Sequence, residues 1–213
     1  MMQIRTLTAG PLETNAYLLT RSGHRELVVV DCPDDSFSHV ETVARDEGLT
    51  LDSVLLTHGH YDHTADLSLF QNAGARVLAH DADRFLIEHP EVMTVMLPPG
   101  MKVDPARIDV PVAQGDKHRF LGLEVEIRHV PGHCPGNVLF YFPEMKAAFV
   151  GDAIFAGSIG RYDLPGGNFE ELEESIQKQI YTLPDDTVLY PGHGPATTVG
   201  REKQSNPFVR FTG

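Results

Sequence analysis

Cysteine is scarce in this chain of 213 residues. Its two cysteines, Cys32 and Cys134, lie far apart, and neither belongs to a Cys-x-x-Cys pair. This spacing excludes a disulfide framework. A chain of this length can bury a substantial core without disulfides. We therefore expect a globular protein that is held together by its hydrophobic core.

Long apolar runs are also missing. No stretch of the sequence approaches the ~20 apolar residues that a membrane-spanning helix needs. Residues 1–10 lack the apolar run of a signal peptide. We therefore expect a cytoplasmic protein with no membrane partner.

Positive charge is in short supply. The chain has 17 lysines and arginines against 30 aspartates and glutamates, which gives a net charge of -13. Nucleic-acid binding depends on neutralising phosphates with lysine and arginine, so the balance argues against a nucleic-acid partner. An anionic small substrate stays compatible with this charge, because a bound metal ion can reverse the sign of the local field.

The apolar residues follow strand and helix periods in alternation. The spacing predicts a helix over residues 35–48, with Asp35 or Ser36 as its N-cap. A second helix is predicted to end near residue 73, and a third to cover residues 168–182. These helices connect segments that read as short buried strands.

Predicted strands form two sets, one before and one after an irregular, proline-rich stretch over residues 89–109. Helices accompany each set. This order predicts an α/β fold, a sandwich in which two sheets pack face to face with helices outside. No break in composition marks a boundary, so we expect one domain over residues 1–213.

One short stretch, residues 57–63, concentrates metal-binding side chains. His58, His60, Asp62 and His63 fall within six consecutive positions. An apolar strand-like run precedes them and a helical period follows, so we expect the cluster in a strand-to-helix loop. Imidazole and carboxylate groups are both ligands of first-row metals. The sequence therefore predicts a metal site here.

Three later stretches repeat the same pattern, in which an apolar run leads to a ligand beside glycine. They present His133, Asp152 and His193. Glycine lets the backbone turn sharply and approach closely, and nearby prolines stiffen the loop. Alone, each stretch reads as an ordinary polar turn. Together with the first cluster, they bring the predicted ligands to five histidines and two aspartates at strand ends.

The full set, His-x-His-x-Asp-His followed by a histidine, an aspartate and a final histidine, resembles the metallo-β-lactamase superfamily over nearly the whole chain. The resemblance implies the αββα sandwich of that family and two divalent metal ions, with zinc expected and iron or manganese as alternatives. It implies that one metal is held by His58, His60 and His133, the other by Asp62, His63 and His193, and that Asp152 bridges both.

Within the family, the chain is most similar to the short, single-domain form of glyoxalase II. The motifs that carry this likeness are residues 151–155, 160–167, 193–195 and 202–208. They imply a metal-dependent thioester hydrolase that cleaves S-lactoylglutathione through a metal-bridging hydroxide, with Asp62 and Asp152 as catalytic residues. The position of Asp152 disfavours a β-lactamase, and the acidic charge disfavours the tRNA-processing members.

The residues that bind glutathione in glyoxalase II enzymes are matched less well in this chain than their metal ligands are. The chain ends before the basic helical extension of long glyoxalase II enzymes, and Pro195 and Asp163 replace two of their tyrosines. Arg161 matches a basic residue that those enzymes use, and Tyr162 lies next to it. We expect these two to contact a small thioester substrate that is derived from glutathione or related to it.

Two other functions stay open at this point. The same fold occurs in persulfide dioxygenases, which bind a single iron; His58, His133 and Asp152 would supply its ligands. A metal-binding protein without catalysis is the third hypothesis. The sequence leaves the physiological substrate, the identity and number of the metals, and the oligomeric state undetermined.

Overall fold

The computed structural model describes residues 1–212, and the chain divides into two compact units, residues 1–111 and the residues from 112 on. Each unit is built around a six-stranded sheet, and each has helices of its own. Among residues 1–212, no helix combines the length and the apolar character that a bilayer crossing requires.

The first unit has a mixed sheet with the strand order β1-β2-β3-β4-β5-β6. The first three strands pair antiparallel, whereas β3, β4 and β5 pair parallel. The strands are β1 (Met2–Ala9), β2 (Thr14–Arg21), β3 (Glu26–Val30), β4 (Thr50–Leu55), β5 (Arg76–His80) and β6 (Val110–Val112). The α-helices are α1 (Ser36–Glu47), α2 (Tyr61–Thr64), α3 (Leu67–Asn72) and α4 (Arg84–Glu88), and 3-10 turns cover Asp81–Asp83 and Pro90–Met96.

The second unit has a mixed sheet with the order β14-β13-β10-β9-β8-β7 and a separate hairpin, β11-β12. Only β10 and β13 pair parallel in the described register. The strands are β7 (Lys117–Phe120), β8 (Leu123–His129), β9 (Val138–Phe142), β10 (Ala147–Gly151), β11 (Ile154–Phe155), β12 (Ser158–Ile159), β13 (Val188–Pro191) and β14 (Thr197–Thr198). The helices are α5 (Phe169–Ser175), a π-helical turn (Ile176–Ile180) and α6 (Val199–Ser205), and a 3-10 turn covers Pro143–Met145.

Each unit buries its own apolar core. In the first, Leu27 and Val29 of β3 and Val54 of β4 pack with Val40 of α1 and Phe70 of α3. In the second, Leu172 and Ile176 pack with residues of β9, β10 and β13. The prediction of an α/β protein with two strand sets is confirmed, and each set forms one mixed sheet. The single-domain assignment stays a prediction.

Helix α1 begins differently from the prediction. Asp35 adopts a left-handed conformation, with φ of 64°, and its side chain makes no capping hydrogen bond. Instead, the backbone N–H of Phe37 donates to Oδ2 of Asp66, at 2.8 Å. The carboxylate that satisfies the helix N-terminus thus comes from a residue 29 positions away, which local capping rules do not detect.

The same aspartate accounts for a second difference. The sequence predicts a continuous helix to about residue 73, but the structure separates α2 from α3 around Asp66. The backbone N–H of Asp66 donates to the carbonyl of Cys32 rather than to the preceding helical turn. The β11-β12 hairpin was also not predicted, since each of its strands has only two residues.

Candidate metal centre

In the first unit, the predicted cluster lies in the loop after β4 and in the first turn of α2, as the sequence indicates. The side chains of His58, His60, Asp62 and His63 are all buried. The ligand atom of His58 lies within 4.8 Å of those of His60 and His63. The ligand atoms of Asp62 and His63 also lie within 4.8 Å of each other. This unit therefore presents three imidazoles and one carboxylate in a compact group.

Asp31, at the end of β3, fixes both ends of this loop. Its Oδ1 accepts the backbone N–H of Thr57 at 2.8 Å, and its Oδ2 lies 2.9 Å from Nδ1 of His63. Because a carboxylate accepts, Nδ1 of His63 carries the proton and Nε2 keeps its lone pair. This geometry lets Asp31 orient His63 as a candidate metal ligand.

The hydroxyl of Thr57 extends the same arrangement to His58. It lies 2.8 Å from Oδ2 of Asp31, to which it donates, and 3.1 Å from Nδ1 of His58. Since its only hydrogen points at the carboxylate, it accepts from His58, and Nε2 of His58 also keeps its lone pair. One buried aspartate thus sets the tautomer of two histidines.

Two further contacts of the cluster come from residues that the sequence analysis did not single out. Thr14 donates its hydroxyl to Oδ2 of Asp62 at 3.0 Å. The buried Asp83 accepts the backbone N–H of Gly59 at 2.8 Å. These partners lie 48 and 24 positions from the residues they hold, so no local motif reveals them.

The second unit presents His133, Asp152 and His193. Oδ2 of Asp152 lies 3.7 Å from Nε2 of His133 and 3.4 Å from Nε2 of His193. Nδ1 of His133 lies 2.6 Å from the carbonyl oxygen of Arg161. A carbonyl only accepts, so Nδ1 is protonated and the lone pair of His133 faces Asp152. One carboxylate oxygen here lies between two imidazole nitrogens.

The donor chemistry of both groups fits metal ions. Five imidazoles and two carboxylates are the mixed nitrogen and oxygen set that zinc, iron and manganese accept. The ligand nitrogens of His58, His63 and His133 hold their lone pairs away from the residues that orient them. Within the first unit, the ligand nitrogen of His63 lies within 4.8 Å of the ligand atoms of His58 and Asp62. A cation would stabilise these buried groups, which favours the metal interpretation.

Burial changes the ionisation of several neighbours. It raises the pKa of the Cys32 thiol well above its ordinary value, and the carboxylates of Asp31 and Asp66 raise this pKa further. Burial likewise raises the pKa of Asp66 and of Tyr61. Cys32 is therefore a protonated, inert thiol at neutral pH. Cys134 is also fully buried.

The two predicted substrate residues lie on the surface. The Arg161 side chain is 67% exposed, and its Nε lies 2.9 Å from Oδ1 of Asp163. That ion pair raises the pKa of the arginine and lowers the pKa of Asp163. Tyr162 packs its ring against Phe169, with 5.1 Å between centroids. Both side chains are accessible to a solute.

The irregular stretch of residues 89–109 has two roles. Met93 is buried, so part of the stretch packs on the core. Its later part borders an open cleft of about 600 Å³ in the first unit. The cleft is lined by Gly10, Pro11, Asp34, Asp35, Pro98, Gly100, Met101 and Lys102.

Comparison with known proteins places these features in a family context. Residues 9–193 match the family model described as the metallo-β-lactamase superfamily. The hydroxyacylglutathione hydrolase GloC of Haemophilus influenzae is 42% identical over 166 residues, which are 76% of this chain and 77% of that protein.

Solved structures extend the likeness to nearly the whole chain. The BLEG-1 B3 metallo-β-lactamase superposes with a TM-score of 0.89 at 33% identity, covering 99% of this chain and 100% of that one. TTHA1623 in a di-iron-bound form gives 0.84 at 35% identity, with 96% and 100% covered. ETHE1 from Myxococcus xanthus gives 0.79 at 27% identity, with 97% and 84% covered.

Proposed function

The chain belongs to the metallo-β-lactamase superfamily, and we propose that it is a binuclear metal-dependent hydrolase that cleaves thioesters of the S-lactoylglutathione type. The observation that carries the proposal is the set of buried histidines whose Nδ1 atoms are tied to acceptors, which leaves each Nε2 available to a metal. The 42% identity to a hydroxyacylglutathione hydrolase supports the choice of substrate.

The proposed ligand assignment follows the family pattern. Two divalent ions are proposed, with zinc as the first choice and iron or manganese as alternatives; the di-iron form of a 35% identical structure keeps iron in consideration. The first ion would be held by His58, His60 and His133, the second by Asp62, His63 and His193, with Asp152 as the bridge.

Bound divalent ions supply a Lewis acid for the carbonyl oxygen and a nucleophile from water at neutral pH. The chain itself does the positioning. Asp31 and Thr57 hold two imidazoles in the tautomer that can bind a metal, and the Arg161 carbonyl does the same for His133. Thr14 restrains the Asp62 carboxylate. Rigid ligands of this kind lose little freedom when the centre assembles.

Arg161 and Tyr162 are proposed to contact the substrate. The exposed guanidinium of Arg161 would attract a carboxylate of a glutathione-derived thioester, and Asp163, its present partner, would give way to the ligand. Lys203, another candidate cation, already lies 2.6 Å from Asp185 and over the ring of Phe211, so it is a poorer choice. The cytoplasmic location stays a prediction.

A second candidate is the mononuclear iron persulfide dioxygenase, with ligands from His58, His133 and Asp152. The 27% identical ETHE1 structure gives this alternative its weight.

Metal analysis of the purified protein, followed by two parallel assays, separates the two candidates. One assay follows the loss of S-lactoylglutathione, and the other follows oxygen uptake with glutathione persulfide. We expect two metals per chain and thioester hydrolysis. One iron per chain with oxygen uptake would instead establish the dioxygenase. A β-lactam hydrolysis assay is the control for the activity by which the BLEG-1 metallo-β-lactamase is named.

Asp31→Asn tests how the imidazoles are held. The backbone N–H of Thr57 requires an acceptor, so the amide oxygen of the new side chain faces Thr57 and its NH₂ faces Nδ1 of His63. This moves the His63 proton to Nε2, where it blocks the metal. We expect metal affinity to fall about 10- to 100-fold in a chelator competition. The exposed Asp46→Asn variant is the charge-matched control, and equal affinities for the two variants would contradict this account.

A further inference from the structure

The last helix and the residues after it, residues 199–209, contain a motif that the proposed function does not use. Its first member, Glu202, is 0% exposed. Its second member, Asn206, directly follows α6 and is also buried. A buried carboxylate is costly unless its oxygens accept hydrogen bonds. The partners of these two side chains therefore indicate what the motif does.

The Glu202 carboxylate accepts three hydrogen bonds within the second unit. Its Oε2 accepts the backbone N–H of Gly157 and the side-chain amide of Asn206, each at 2.9 Å. Its Oε1 accepts the hydroxyl of Thr197 at 2.5 Å. One of the three donors, Gly157, lies in the turn of the β11-β12 hairpin.

Asn206 reaches the same turn. Its amide nitrogen donates to the carbonyl of Ser158 at 3.0 Å, next to Gly157. Its Oδ1 accepts the backbone N–H groups of Phe208 and Val209, at 3.0 and 3.2 Å. The two buried side chains thus join the C-terminal segment to the hairpin turn, and we call this arrangement the Glu202–Asn206 clamp.

The hairpin leads directly to the metal-binding residues of this unit. Gly160, just after β12, passes so close to Asp152 that a Cβ would lie 1.8 Å from the Asp152 carbonyl oxygen and 3.0 Å from Nδ1 of His133. The next residue, Arg161, supplies the carbonyl that accepts from that Nδ1. A shift of the hairpin therefore moves the group that sets the His133 tautomer.

We propose that Glu202 and Asn206 are positioning residues that hold the β11-β12 hairpin against Asp152 and His133 and thereby orient His133 for metal binding. The inference rests on the proposed metal centre. It assigns an effect on metal affinity, exerted through the hairpin, to a C-terminal motif that lies far along the chain from every proposed ligand except His193. A role limited to anchoring the C-terminal segment would change stability alone.

Asn206→Asp separates these two roles. The new carboxylate still accepts from Phe208 and Val209, but it cannot donate to Ser158, and it repels Glu202. Tyr181→Phe is the matched control. The Tyr181 hydroxyl donates to the carbonyls of Glu202 and Val209, so its loss loosens the same segment without a contact to the hairpin.

The experiment measures Zn²⁺ affinity of the full-length apoprotein by competition with a chromophoric chelator, alongside the melting temperature. We expect about tenfold weaker affinity for Asn206→Asp, as for other residues that orient ligands. Tyr181→Phe should melt earlier but bind Zn²⁺ like the wild type. Glu202→Gln should stay close to the wild type, because its amide oxygen can accept from Gly157 and Asn206 while its NH₂ faces Thr197.

Thr197→Val removes one donor to Glu202 at similar volume, and it serves as the milder variant if Asn206→Asp does not fold. A smaller loss of affinity in the same direction is then expected. Wild-type affinity in folded Asn206→Asp or Thr197→Val protein, or an equal loss in Tyr181→Phe, would overturn the inference and leave the proposed function standing. Failure of the wild-type protein to bind Zn²⁺ would contradict the proposed metal centre itself, and the inference with it.

Discussion

Asp152→Asn is expected to reduce thioester turnover about a thousandfold while the protein stays folded. The substitution keeps the side-chain volume but removes the negative charge that lies 3.4 and 3.7 Å from two imidazole nitrogens. Without the proposed bridging carboxylate the metals would be held less tightly and less accurately, which we expect to cost roughly 4 kcal/mol of transition-state stabilisation; each 1.4 kcal/mol is about tenfold in rate. Steady-state kinetics with metal analysis of the same sample measures both consequences.

The control for Asp152→Asn is Asp186→Asn. Asp186 is an exposed partner of Lys146, so its loss changes the net charge equally, and exposed ion pairs contribute little to stability. We expect it to keep wild-type turnover and metal content. If Asp152→Asn retained full turnover with both metals bound, the bridging role would be excluded, and a different aspartate or glutamate would have to fulfil it.

Gly132→Ala is expected to destabilise the fold strongly, with a loss of about 4 kcal/mol in the free energy of unfolding. Gly132 has a φ of +117°, a backbone conformation that residues with a side chain rarely adopt. Its backbone also passes close to the first turn of α5. A Cβ there would lie 2.2 Å from the backbone nitrogen of Leu172 and 2.4 Å from its Cα. Backbone atoms inside a helix cannot move aside as a flexible side chain could.

Gly115→Ala separates strain from steric overlap. Gly115 also has a positive φ, +85°, but nothing lies within 4 Å of a Cβ built there. Backbone strain alone costs about 1–2 kcal/mol, so the excess in Gly132→Ala reports the overlap with α5. Urea unfolding of both variants measures the difference. Similar losses for the two would show that α5 moves away from residue 132 at little cost.

The proposed metal ligands were predictable from short segments. Residues 57–63 carry four of the proposed ligands in consecutive sequence, and a buried strand precedes them. Their placement at the end of β4 and in the first turn of α2 follows from local hydrophobic periodicity, which is a short-range signal. The family prediction, which rests on the order of the motifs, is confirmed by the match over residues 9–193.

Contacts between distant segments were not predictable in this way. The cap of α1 comes from Asp66 rather than Asp35, because folding brings a better-placed carboxylate to the helix N-terminus. The same residue interrupts the helix predicted to run to residue 73. The hairpin over residues 154–159 was missed because two-residue strands carry no periodic signal.

The sequence by itself determined which residue types gather at the strand ends and to which family the chain belongs, because both are written in short motifs and in their order. Only the tertiary structure decided which nitrogen His58, His63 and His133 present and what holds it there. Asp31 is 32 positions from His63, and the Arg161 carbonyl is 28 positions from His133. A hydrogen bond over such a separation forms only when the fold brings two segments together, and no local pattern encodes it.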